Sequence, residues 1–195
     1  GRLALPGDVS SAAFLMVAAC CVAGSRIELR DVGLNPTRTG LLTVLKRMGA
    51  AIRVSVTDEA WEPRGSVVVE AKPLQAVVLE PHEVPGVIDE LPILMVAAAC
   101  ARGTSSFRGL GELRVKETDR MQSMVQGLQS LGTRVRVPAP DVVEIEGGPL
   151  RAGIVSSAGD HRTAMAMAVA ALAADGGATR VRGAECIAKS YPEFF

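Results

Sequence analysis

"IDELPILMVAAACARGTSSFRGLG", residues 88–111, begins with an acidic residue, Asp89, and runs into an Ala-rich stretch that is apolar nearly all round. It then reaches Gly103 and a short strand-like segment. A run with no polar face is a helix buried on every side, and the glycine is a natural C-terminal stop. The same layout occurs twice more. "GDVSSAAFLMVAACCVAGSRIELRDVG" (7–33) has Asp8 and Gly24 in the equivalent places, and "GDHRTAMAMAVAALAADGGATRVRG" (159–183) has Asp160 and Gly176–Gly177. One structural unit is therefore used three times.

Outward from each copy lies a polar loop: "LNPTRTG" (34–40), "ELRVKETDR" (112–120) and "ECIAKSYP" (185–192). The first two loops lead into amphipathic helices. Met121, Met124, Val125, Leu128 and Leu131 fall at helical spacing, and Leu41, Leu42, Leu45 and Met48 mark a similar stripe. Behind them Ile52, Val54 and Val56, and Val135 and Val137, alternate as strands do. Further strands are expected at 66–71 and 141–147, and "TDEAWEPRG" (57–65) as a hairpin connection with Trp61 at the surface. His82 falls in a loop.

The unit is strand, buried helix, strand, amphipathic helix, strand, strand. It predicts an α/β fold of α+β type, one domain over 1–195, with repeats at about 1–75, 76–150 and 151–195 around buried parallel helices. The third repeat breaks off after Pro192, where its second helix would start. The leading strand of the first, "RLALP", is short, and the chain opens on Gly1, so it is expected to be a piece of something longer.

Apolar residues make up 48% of the chain but aromatics only 3%, so the core must be built from small aliphatic side chains and Met. With 21 acidic and 21 basic residues there is no global field to draw in nucleic acid or a membrane surface, and any electrostatic function has to be local. The apolar runs reach about a dozen residues, short of the roughly 18 that span a bilayer, and no secretory leader is visible. Cys20, Cys21, Cys100 and Cys186 contain no CxxC pair, which argues against a zinc site or disulfide framework and for buried thiols in a reducing compartment.

Three equivalent units around one core bring three helix N-termini to one end, where unpaired N–H groups favour anions. Lys116, Arg120, Arg162 and Lys189 all fall on loops or helix starts predicted to converge there. Arg suits bidentate contact with carboxylate or phosphate. Asp89 and Glu117 join them, and this pair could exchange protons with a substrate. The bland alternatives are that Asp8, Asp89 and Asp160 cap helices, that Lys116 and Arg120 lie on a solvated turn, and that His161 is structural. Thr118 or Asp119 is the expected N-cap of the second amphipathic helix, with Thr37 its counterpart in the first.

"GDVSSAAF", "LNPTRTG", "IDELPIL", "LRVKETDR", "GDHRTAMA" and "AKSYPEFF" occur in that order from Gly7 to Phe195. Together they resemble the enolpyruvyl transferases, in the branch that acts on shikimate 3-phosphate. That family, a target of glyphosate, has two similar domains, each an inverse α/β-barrel-like body of three repeats, with the active site in the cleft between. This chain resembles only the domain carrying the C-terminal part. The resemblance implies transfer of the enolpyruvyl group of phosphoenolpyruvate to the 5-hydroxyl of shikimate 3-phosphate, releasing phosphate, in aromatic amino acid biosynthesis in the cytoplasm. It implies Asp89 as base, Glu117 as the proton carrier at the methylene carbon and Lys116 at the shikimate phosphate. Arg120, Arg162 and Lys189 would grip phosphoenolpyruvate, with His161 beside them, and no metal or organic cofactor is implied. The missing N-terminal domain is the implied partner, without which the chain alone is expected to be inactive. A UDP-N-acetylglucosamine enolpyruvyl transferase and a non-catalytic binding module reusing the repeat are the alternatives.

Overall fold

A computed structural model describes residues 5–59 and 61–195. The first repeat comprises α1 (Val9–Cys21), β1 (Arg26–Gly33), α2 (Gly40–Arg47), β2 (Ala51–Asp58) and β3 (Arg64–Glu70). The second comprises β4 (Val78–Leu79), α3 (Leu91–Ala99), β5 (Thr104–Phe107), α4 (Arg120–Ser130), β6 (Arg134–Ala139) and β7 (Val142–Glu146). After these come β8 (Leu150–Arg151), β9 (Ile154–Ser156), α5 (His161–Leu172), β10 (Ala174–Asp175) and β11 (Arg180–Arg182). The strand expected at 2–6 falls largely outside the described residues.

The repeat is visible in the strand pairing. β4 runs parallel to β5 across α3, β9 runs parallel to β11 across α5, and a parallel bridge between Gly7 and Val32 does the same across α1. In the first two units an antiparallel pair is then added, giving orders β1-β3-β2 and β4-β5-β7-β6. Among the described residues the sheets stay separate and no closed barrel forms.

α1, α3 and α5 pack on one another at the centre. Every residue of α3 is buried, as an all-round apolar sequence requires. Met121, Met124, Leu128 and Leu131 seal the inner face of α4, and Leu41, Leu42, Leu45 and Met48 that of the first amphipathic helix. Trp61 lies at the surface, as expected.

Two local details differ from the sequence expectations. Polar segments read as loops contain 3-10 turns, at Pro81–Gly86 (which includes His82), Leu110–Val115 and Ala184–Lys189. The last two are each entered through a glycine in the left-handed region, Gly109 at φ 77° and Gly183 at φ 74°, a conformation that a side chain disfavours. Thr37 is not the N-cap of α2. Thr39 holds that position, because Asn35 accepts hydrogen bonds from both the N–H and the hydroxyl of Thr37 and folds it into an Asx turn.

Candidate active site

The charged residues gather where α3, α4 and α5 begin. Asp119 caps α4 by accepting from the N–H of Gln122 at 2.9 Å, and Asp160 caps α5 through the N–H of Thr163 at 2.8 Å. Both helices thus start at fixed points, with Arg120 and His161 as their first residues.

Arg120 is 1% exposed, so it cannot rely on water. Its Nε and Nη2 donate to one oxygen of the fully buried Asp160 at 3.0 and 2.7 Å, and Nη2 also donates to Glu117 at 2.6 Å. Burial alone would raise the Asp160 carboxyl. The hydrogen bonds from Arg120 and Thr163 outweigh it and hold that carboxyl below the usual aspartate range. This pairing was not legible in the sequence, where Asp160 reads only as a cap. A buried arginine needs a counter-ion, but nothing local names one forty positions away.

Arg162 reaches across from α5 to the start of α3. Nη1 donates to the backbone carbonyl of Asp89 at 3.0 Å, and Nη2 lies 3.3 Å from its carboxylate. Asp89 is therefore not a cap, unlike Asp8 and Asp160, and its half-exposed carboxylate is turned to a cation of the next repeat. Lys116 pairs with Glu112 at 3.0 Å, a partner to which the sequence assigned no role. Lys189 is exposed at the end of its 3-10 turn with no ion pair among the described residues, and that turn packs against α5.

The structure thus brings Arg120, Glu117 and His161 together, and separately Arg162 with Asp89. It ties Lys116 and Lys189 to neither pair by direct contact. Donor atoms of Glu117, Asp160 and His161 lie within 4.8 Å of one another. A cation bound there would compete with the Arg120 guanidinium already seated on both carboxylates, so the donor set suits an internal ion pair better than a metal.

The family model of EPSP synthase (3-phosphoshikimate 1-carboxyvinyltransferase) matches residues 1–195. The chain belongs to the EPSP synthase family. A 3-phosphoshikimate 1-carboxyvinyltransferase from Synechococcus sp. (strain JA-3-3Ab) is 50% identical over 192 residues, which are 97% of this chain and 43% of that relative. One from Desulforamulus reducens is 46% identical over 194 residues, 99% of this chain and 45% of its own length. The EPSP synthase structure from Acinetobacter baumannii superposes with a TM-score of 0.91 at 39% identity, over 97% of this chain and 44% of that one. The enolpyruvyl transferase NikO from Streptomyces tendae, at TM-score 0.72 and 22% identity over 98% of this chain and 42% of that one, shares the fold. The chain spans less than half the length of these EPSP synthase relatives. No helix among the described residues is long and apolar enough to cross a membrane.

Proposed function

We propose that this chain, as a single domain over 1–195, forms one wall of a site that transfers the enolpyruvyl group of phosphoenolpyruvate to the 5-hydroxyl of shikimate 3-phosphate. The observation that carries the reading is that cations from α4 and α5 meet the carboxylates Asp89 and Glu117 at the N-terminal ends of three helices. Both substrates are anions, and helix starts with arginines attract anions. Family membership supports the same assignment.

In this reading Asp89 takes the proton of the 5-hydroxyl as its oxygen attacks C2 of phosphoenolpyruvate. Glu117 in its acid form delivers a proton to the methylene carbon, giving a tetrahedral adduct. Glu117 then recovers a proton from that carbon as the C–O bond to phosphate breaks, and the proton held by Asp89 passes to the leaving group, so that hydrogen phosphate leaves and both carboxyl groups return to their starting forms. Lys116 holds the shikimate phosphate, while Arg162 and Lys189 hold phosphoenolpyruvate, with His161 beside them. Nε and Nη2 of Arg120 are committed to protein carboxylates. The phosphoenolpyruvate carboxylate therefore has to replace Glu117 on Arg120, an exchange that frees Glu117 for proton transfer. No metal or organic cofactor enters these steps. The facing wall comes from the rest of the protein, because one wall can neither exclude water nor orient two substrates. Four free thiols accord with the cytoplasm.

The test is phosphate release from the two substrates, using this chain alone, then mixed with the complementary half, with Glu117→Gln as control. Activity only in the mixture, abolished by Glu117→Gln, is the expected result. A folded, associated mixture that releases no phosphate overturns the reading, and turnover with UDP-N-acetylglucosamine instead would reassign the acceptor.

A further inference from the structure

The three repeats place Asp8, Asp89 and Asp160 at equivalent positions, and the middle one behaves differently. Asp8 accepts from the N–H and hydroxyl of Ser11, both at 2.9 Å, and Asp160 accepts from the N–H of Thr163. Asp89 caps nothing. The cap position of α3 belongs to Glu90, whose backbone is already helical and whose side chain makes no capping bond.

Glu90 is 4% exposed and reaches sideways instead, accepting a hydrogen bond from the hydroxyl of Ser10 on α1. That hydroxyl in turn accepts from Nη2 of Arg38 at 2.9 Å, and the same nitrogen lies 3.5 Å from Asp8. On the opposite side Arg162 of α5 holds the carbonyl and carboxylate of Asp89. The start of α3 is thus clamped between the first repeat, through Glu90, and the third, through Arg162.

We infer that Glu90 is the positioning residue for Asp89. By tying the start of α3 to Ser10 it replaces the missing cap, and the Asp89 carboxylate is left free for Arg162 and for substrate. A buried acid that fixes a helix start costs desolvation, which the Ser10 hydroxyl and the nearby Arg38 and Arg162 charges offset only in part. The catalytic consequence rests on the function proposed above. The geometric claim does not.

The experiment uses the full-length protein that carries this chain, with Glu90→Ala, Glu90→Gln and Ser10→Ala, followed by phosphate-release kinetics and a crystal structure of Glu90→Ala. Misplacing a base by about 1 Å costs up to about 100-fold, so Glu90→Ala should lose about 10–100-fold in kcat with both KM values little changed. Ser10→Ala should lose kcat in the same sense. Glu90→Gln should restore most of it, since its amide oxygen still accepts from Ser10. In the Glu90→Ala crystal structure Asp89 should have left Arg162. Wild-type kcat in both Glu90→Ala and Ser10→Ala overturns the inference, as does an Asp89 still seated on Arg162. If Glu90→Ala does not fold, Ser10→Ala decides alone, and wild-type kcat there is the overturning result. If the wild-type protein releases no phosphate, the transferase reading falls, while the position of Asp89 in the variant structure still decides this one.

Discussion

Arg120 and Asp160 form an ion pair closed off from solvent, two guanidinium nitrogens on one carboxylate oxygen at 3.0 and 2.7 Å, linking the first residue of α4 to the cap of α5. Removing one partner of such a pair strands a buried charge, which costs about 3–5 kcal/mol. Asp160→Asn is therefore expected to lower the unfolding free energy by about 3 kcal/mol, read from the urea midpoint at unchanged slope. A loss below about 1 kcal/mol would mean that Glu117 suffices as counter-ion.

The same pair gives the stability a defined pH dependence. The Asp160 carboxyl lies below its unfolded value of about 3.9. Its contribution is thus complete above about pH 3.9 and is lost as the pH falls through the folded value. The advantage of wild type over Asp160→Asn should be constant at neutral pH and shrink below about pH 4 in denaturant titrations run across that range.

Glu90 should show the opposite sign. Burial pushes its carboxyl up despite Ser10, Arg162 and Arg38. A raised acid is stable in its neutral form, so its cost is absent below the unfolded value of about 4.3 and grows as pH rises through the folded value. Glu90→Gln should therefore be more stable than wild type at pH 7, and the gap should close as the pH drops past 4. A gap independent of pH would show that the carboxyl stays neutral throughout.

The thiols should differ in reactivity. Burial pushes Cys20 up to about 11, whereas the hydrogen bond from Cys21 lowers Cys100. The thiolate is the reactive form. In native labelling at pH 7.5 with a neutral thiol reagent, Cys100 should react ahead of Cys20, and Cys21→Ala should slow it. Equal rates for Cys20 and Cys100 would contradict the burial seen here.

Gly147 follows β7 with its N–H bonded to the carbonyl of Gly103 at 3.0 Å. A Cβ there would collide with the backbone carbonyls of Ala101 and Ala98, and backbone cannot step aside. Gly147→Ala should cost about 1–3 kcal/mol, as overpacking does. Gly148→Ala, where nothing lies within 4 Å, should stay within about 0.5 kcal/mol. Thermal melts of the two variants make the comparison.

Amino-acid pattern alone determined the three central helices of this protein, because a run such as Leu91–Ala99 with no polar face has only the interior to occupy. It determined α4 through the spacing of Met121, Met124 and Leu128, and narrowed its start to Thr118 or Asp119, of which the structure uses Asp119. These are local properties, carried by neighbours within one or two turns. The partnerships of the charges were decided only by tertiary structure. Arg120 finds Asp160 at a separation of 40 residues, Arg162 finds the backbone of Asp89 at 73, and Ser10 finds Glu90 at 80. Residue type says that each buried charge needs a partner. Which partner it takes depends on how the helices of different repeats lie against one another, and that packing brings Asp89 to Arg162 while leaving Asp8 and Asp160 to cap their own helices.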